Sequence, residues 1–361
     1  MARLFGRDYT RKELQSYTGN TLQFGGIRPI ELAGGRERGV RGFDVFTGTG
    51  FQFTVLADRA MDITRASFRG RSLSYLSPAG QPHPSYYESQ GIGWLQTFPG
   101  GLLATCGLAN MGAPCTDEGE ELGLHGRVST LPMDELGFWT EWEGDELWMR
   151  MKGTLTEGVI FGNPLRLTRQ ISARLGGNSI HIEDTVENLG GQATPHMMLY
   201  HFNLGFPFLS PESRLASNSQ EVKPRDAEAA KGFAQYAEFQ APSAGYAEQV
   251  FYHEMATDND GDVRVALINP ALDGGLGIYL RYHKKTLPRF IQWKSMAYGS
   301  YALGMEPANA YVEGRAKERA QGTLPMLQPG ESRNYRAEIG VLDGMEEIEA
   351  FERAVKLGGA P

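Results

Sequence analysis

The chain has 361 residues, a formal net charge of −8 and two cysteines, Cys106 and Cys115. The acidic balance argues against a nucleic-acid binder, and the cysteine count against a disulfide-framed module. No run of about 18 apolar residues marks a membrane span, and Met1-Ala2-Arg3-Leu4-Phe5-Gly6-Arg7 lacks the apolar stretch of a signal peptide. The expectation is a soluble cytoplasmic protein with neither nucleic-acid nor membrane partners.

Abundant glycine (46 residues) and 11% aromatic residues suit many strands joined by tight turns. Near the N-terminus, Thr10-Arg11-Lys12-Glu13 reads as a capping box that opens a helix. In 51–57, Phe51, Phe53, Val55 and Ala57 share one face, with Gln52 and Thr54 opposite. In 165–175, Leu165, Leu167, Ile171, Ala173 and Leu175 alternate with Arg166, Thr168, Gln170, Ser172 and Arg174. Stretches 147–155, 179–187 and 276–283 behave alike. Period-two alternation means strands with one buried face, hence antiparallel sheets. The least strand-like stretch is 210–247, rich in Ser, Pro, Ala and Glu. It reads as a long loop excursion on a single domain spanning 1–361, and as a candidate rim of a ligand site. Asp343-Gly344-Met345-Glu346 is a second capping box, leading to Ile348, Phe351 and Val355, with Gly358 as the stop. The predicted class is mainly β, with short helices confined to the ends, no fixed repeat and no βαβ rhythm.

Three segments place polar residues inside apolar strands. In Leu122-Gly123-Leu124-His125-Gly126-Arg127-Val128-Ser129, flanking glycines allow close backbone approach, and His125 and Arg127 point the same way if extended. The alternative is a β-turn with a surface arginine. In Leu199-Tyr200-His201-Phe202-Asn203-Leu204, the residues Leu199, His201 and Asn203 share a face opposite the aromatic one. A satisfied core histidine is the alternative reading there. In Ser300-Tyr301-Ala302-Leu303-Gly304-Met305-Glu306-Pro307, one face is Tyr301, Leu303 and Met305; the other is small residues ending in Glu306. That second face leaves room above it, and Pro307 is expected to stop the ladder. An isolated buried carboxylate is costly, so Glu306 is better explained by a ligand than by packing; an edge glutamate paired with an arginine is the alternative. No Gly-x-Ser-x-Gly elbow, phosphate-cradling glycine loop or His-Glu-x-x-His occurs, and the seven histidines form no metal-ligand spacing.

In order, these segments resemble the galactose mutarotase-like superfamily, which includes the aldose 1-epimerases. Leu124-His125-Gly126, Phe202-Asn203-Leu204 and Met305-Glu306-Pro307 match its leucine-histidine-glycine, phenylalanine-asparagine-leucine and late glutamate segments. The chain is more specifically similar to a bacterial branch of formerly unknown function, through Asp58-Arg59-Ala60-Met61-Asp62-Ile63, Gly100 to Gly107, Gln292-Trp293-Lys294 and Leu327 to Ser332. The resemblance covers roughly 25–345. It implies a large antiparallel β-sandwich with a sugar in a cleft on one sheet.

Three departures stand out. Typical mutarotases place the acid histidine four residues before the asparagine, where this chain has Leu199; His201 stands two residues later, on the same face. The arginine upstream of the first histidine has no counterpart in 100–112. Arg127 replaces a second glycine, and an arginine there can bind a phosphate or carboxylate on an anionic sugar.

The resemblance implies a mutarotase in which Glu306 is the base and His201 the acid. His125, Arg127, Arg59, Asp62, Asn203, Gln292 and Lys294 are expected to position hydroxyls, with Trp293 either a core residue or a sugar-stacking platform. No cofactor or metal is required. A non-catalytic carbohydrate-binding protein, and a lyase or an epimerase acting at another carbon, remain the alternatives; the sugar and the oligomeric state are open.

Overall fold

The computed structural model describes residues 1–356; Gly358, the expected stop of the last helix, lies outside the described residues. Two large antiparallel sheets dominate. The first has eleven strands, ten of them running in space from Ser219–Pro224 through Gln249–Met255, Arg289–Ala297, Ser300–Ala308, Met197–Gly205, Leu103–Leu108, Asp62–Phe68, Phe51–Leu56 and Arg41–Phe46 to Gly26–Glu31, with Arg71–Ser72 paired to Asp62–Phe68 off this path. The second has eight: Glu135–Glu143, Glu146–Glu157, Leu165–Arg174, Ser179–Asn188, Ser332–Asp343, Leu276–His283, Asp262–Asn269 and Arg214–Ser217. Their facing sides enclose the main core, where Phe53, Val55, Tyr200, Phe202 and Leu303 meet Leu167, Ile171, Ile182 and Ile339. This is the mainly β, antiparallel sandwich that the alternation predicts.

Polar residues interrupt the inward alternation. Arg169 and Asp184 stand at core-facing positions of adjacent strands and are buried. The Arg169 guanidinium grips Asp184 through Nε (2.9 Å) and Nη2 (2.7 Å), and its Nη1 donates to Ala60 O, Thr105 Oγ1 and Asp62 Oδ1 on the opposite sheet. Tyr200 donates to Asp184 at 2.6 Å. A buried guanidinium is tolerated because each of its nitrogens finds an acceptor.

Thr10 caps the Arg11–Tyr17 helix through a reciprocal bond with Glu13, as expected. The Met345–Lys356 helix begins differently. The Asp343 N–H donates to Glu347 rather than Glu346, while the Asp343 carboxylate pairs with Arg69. Helices also occur inside the chain, at Ala227–Lys231 and Arg315–Ala320, so they are not confined to the ends. The 210–247 segment, expected as loop, supplies Arg214–Ser217 to the eight-stranded sheet and Ser219–Pro224 to the edge of the eleven-stranded one. Its strands are short and their polar residues face solvent, so hydropathy alone carries little period. The Ser300–Ala308 strand runs through Pro307, which pairs in register with Phe290.

Candidate active site

Alternation in the eleven-stranded sheet sends one set of side chains into the main core and the other to the outer face. On the outer face Ala104, Cys106, Leu199, Ile291, Ala302 and Ala308 form a second apolar cluster. Above it lies a cavity of about 290 Å³, close to the lower end of small-molecule sites, ~300 Å³. Its floor holds His201 and Glu306, from adjacent antiparallel strands. His201 Nε2 stands 3.3 Å from Glu306 Oε1, with His201 5% and Glu306 2% exposed. Neither His201 Nδ1 nor Glu306 Oε1 has a hydrogen-bond partner. Buried polar atoms are ordinarily satisfied, so unpaired ones gathered in one cavity mark a place prepared for something else.

Burial pushes the Glu306 carboxyl well above its ordinary value; Glu248 adds to the effect and Arg225 opposes it. Burial also holds the His201 imidazole well below its ordinary value, with His125 adding to the depression. Both shifts favour the uncharged forms, a carboxylic acid beside a neutral imidazole. His125 is pushed down to about 4 by burial and is neutral at neutral pH; its Nδ1 has no partner. Its ring centroid lies 5.9 Å from that of His201.

Aromatic residues close the walls. Trp94 stacks on Phe98 at 4.4 Å and lies 4.8 Å from His125, while Phe98 and Trp293 stand 5.4 and 5.5 Å from His201. At the far rim Trp293 Nε1 donates to Glu248 (2.7 Å), and Arg225 Nη2 lies 3.5 Å from the same carboxylate.

Of the residues singled out in the sequence, the fold brings His125, His201, Trp293 and Glu306 together around this cavity. The other six do not line it. His125 (φ 59°) and Gly126 (φ 71°) form a left-handed turn rather than an extended strand. A β-carbon on Gly126 would collide with the carbonyls of Gly107 and Asn110. That turn aims Arg127 away, and it donates instead to Gly158 O at 2.9 Å. Arg59 is buried and donates to Pro82 O (2.8 Å) and Thr97 O (2.9 Å), tying down the loop that carries Trp94 and Phe98; burial lowers its guanidinium to about 10. Asp62 faces the inter-sheet core, where it accepts from Thr105 and Arg169.

Asn203 is buried beside the site, but its amide donates to His201 O (2.7 Å). Gln292 and Lys294 alternate with Trp293 and so point through the sheet. There Gln292 meets His253 (3.1 Å) and Tyr236 O (2.7 Å), and the Lys294 ammonium donates to Gln235 O and Glu238 O. Burial lowers Lys294 to about 8.

Sequence reasoning passed over Trp94, Phe98, Arg225 and Glu248. The first two sit on an aperiodic loop; Arg225 lies within the 210–247 segment and Glu248 just beyond it, where nothing distinguishes them from surface charges.

No curated protein matches the sequence. Among solved structures, the chain is similar to a Klebsiella pneumoniae protein provisionally named an aldose 1-epimerase, with a TM-score of 0.87 and 23% identity over 92% of this chain and 88% of that one. It is also similar to a galactose mutarotase-like protein from Clostridium acetobutylicum (TM-score 0.60, 11% identity, 90% and 100% covered). A galactose 1-epimerase from Lactobacillus acidophilus gives a TM-score of 0.57 at 13% identity, with 89% and 99% covered. The family model described as Domain of unknown function (DUF4432) matches residues 37–341. The chain therefore belongs to the DUF4432 family and has the galactose mutarotase-like fold.

Proposed function

We propose that the chain is an aldose 1-epimerase, an isomerase that interconverts sugar anomers at the Glu306–His201 pair. The observation that carries this reading is the 3.3 Å approach of His201 Nε2 to Glu306 Oε1 on the floor of a cavity of monosaccharide size. Ring opening requires a proton to leave the anomeric hydroxyl and another to reach the ring oxygen. Both oxygens are bonded to the same carbon, so base and acid need reach only two neighbouring atoms. Glu306 is assigned as base and His201 as acid. The neutral pair and the carboxylate–imidazolium pair hold the same number of protons, so entry of a polar substrate converts one into the other without exchange with solvent. The acyclic aldehyde turns about its terminal bond, the ring closes on the other face, and the protons return to their original groups.

His125, neutral and unpaired at Nδ1, orients a hydroxyl, and Trp293 offers its face to the C–H side of the ring. The galactose 1-epimerase among the structural neighbours supports the reaction class. One-dimensional or saturation-transfer NMR of anomer exchange, across free aldoses, ketoses, uronates and sugar phosphates, tests the proposal. Catalysed exchange of at least one sugar is expected. Binding without exchange for every sugar would instead make the chain a carbohydrate-binding protein.

A further inference from the structure

An ordinary aldose carries hydroxyls around its ring and on its exocyclic carbon, and each must be re-paired when it leaves water for a closed site. Here the polar side chains lining the cavity are His125, His201, Arg225, Glu248 and Glu306. His201 and Glu306 are taken by the ring oxygen and the anomeric hydroxyl. Glu248 already accepts from Trp293 and stands beside Arg225, which also donates to Asp226 at 2.9 Å. Remaining polar capacity is thus concentrated at His125 and the Arg225–Glu248 rim.

The remaining side chains of the lining are apolar apart from the indole of Trp94, which is turned to Ser129, and three backbone N–H groups on this side are already engaged. Leu124 N donates to Gly91 O, His125 N to Gly112 O, and Ala113 N to Val312 O, each at 2.9 Å. Pro114, Leu124 and Val312 line this side, and none offers a hydrogen bond from its side chain. The apolar surface continues outward to the mouth, where Ile92 is 64% and Leu95 49% exposed. Stacking of sugar C–H groups explains Trp293 and Phe98. It does not explain aliphatic residues, which present no aromatic face, along one wall and at the mouth.

We propose that the substrate is a deoxy-aldose, in which a methyl or methylene group replaces a hydroxyl along the edge facing Leu124, Val312 and the Ile92–Leu95 segment. This rests on the anomer-exchange reading of the same site. An apolar substituent on the anomeric oxygen does not fit, because that reaction needs a free anomeric hydroxyl. An apolar wall rejects an added hydroxyl only moderately, by about 10²-fold at most, so the parent sugars are poor substrates rather than excluded ones.

The test compares D-galactose and D-glucose with their 6-deoxy and 2-deoxy counterparts, by NMR anomer exchange and by ligand-observed NMR binding. At least one deoxy sugar is expected to exceed its parent about tenfold or more in kcat/KM. Val312→Thr, which keeps the shape and adds one hydroxyl, should reduce that ratio several-fold. Parents exchanged as fast as every deoxy counterpart would overturn the inference and leave the isomerase reading intact. Tighter binding of deoxy sugars without any exchange would sink the isomerase reading and with it the substrate inference, leaving a deoxy-sugar-binding protein. No binding preference, or no binding at all, in the absence of exchange would remove both.

Discussion

The carboxylate of Glu306 occupies the space that a β-carbon on Gly304 would fill. The two residues share one face of the same strand, and that β-carbon would also come within 2.9 Å of Trp293 Cβ. The small-residue face ending at Glu306 is therefore not merely open: at Gly304 it is required by the rotamer of the proposed base. Gly304→Ala should leave a folded protein whose Glu306 is displaced. A misplacement of about 1 Å costs on the order of 10² in rate, so catalysed anomer exchange should fall about that much. Wild-type exchange in this variant would mean that the Glu306 position seen here is not the working one.

Glu306 and His125 should fail differently. Glu306→Gln keeps the shape and removes the base, so kcat should fall by about two orders of magnitude or more while sugar binding persists. His125→Asn removes a neutral hydrogen-bonding group and should act mainly by raising KM. Steady-state exchange rates at several sugar concentrations separate the two patterns, and near-native kcat in Glu306→Gln would retire the base assignment.

The pH profile should be a broad bell. Activity requires the pair to hold one proton. At low pH a second proton reaches His201, whose value lies well below the usual 6.5; at high pH the pair loses its proton, with Glu306 held well above the usual 4.5. Activity should therefore persist well below pH 6.5, the acid limb belonging to the pair rather than to either residue. An acid limb centred at or above 6.5, measured on kcat/KM, would contradict burial of the pair in the working enzyme.

How much of this was legible in the sequence depends on where each residue's partner lies. Period-two alternation carries the sandwich, and parity alone puts His201 on the outer face opposite Tyr200 and Phe202. Parity also separates Trp293 from Gln292 and Lys294, so those three could not all face one cavity; that signal was present in the sequence. Asp62 and Arg59 are another matter. A buried carboxylate reads the same whether it meets a ligand or an arginine, and Arg169 is 107 residues from Asp62. The turn at His125-Gly126 redirects Arg127 through backbone conformation that glycine permits but does not announce. Trp94 and Phe98 wall the site from an aperiodic loop, held by Arg59 bonds that only the fold creates.

Four histidines bear on stability. Burial holds His125, His196 and His253 down to about 4 and His201 well below its ordinary value, whereas the unfolded chain titrates them near 6.5. The unfolded state therefore binds more protons, and the stability present above pH 6.5 is lost as pH falls toward 4. Each histidine contributes roughly 1.4 kcal/mol per pH unit in that window. Urea unfolding at pH 7.5 and 5.5 should show a large drop. His253→Gln should make the drop shallower, and an unchanged slope would place His253 in contact with water.

The last prediction concerns the buried guanidinium between the sheets. Arg169 satisfies Asp184, Asp62, Thr105 and Ala60 O at once, and through Asp184 it fixes Tyr200, the neighbour of His201. Arg169→Met keeps an unbranched stem but leaves two carboxylates facing each other in the core. Breaking one side of a buried ion pair costs about 3–5 kcal/mol, so a large loss of stability is expected in denaturant unfolding. Adding Asp62→Asn and Asp184→Asn removes the stranded charges and should recover much of it. The triple variant should also keep catalysed anomer exchange, because none of the three residues reaches the cavity. A triple variant that is stable yet inactive would show instead that this network sets the position of His201 through Tyr200.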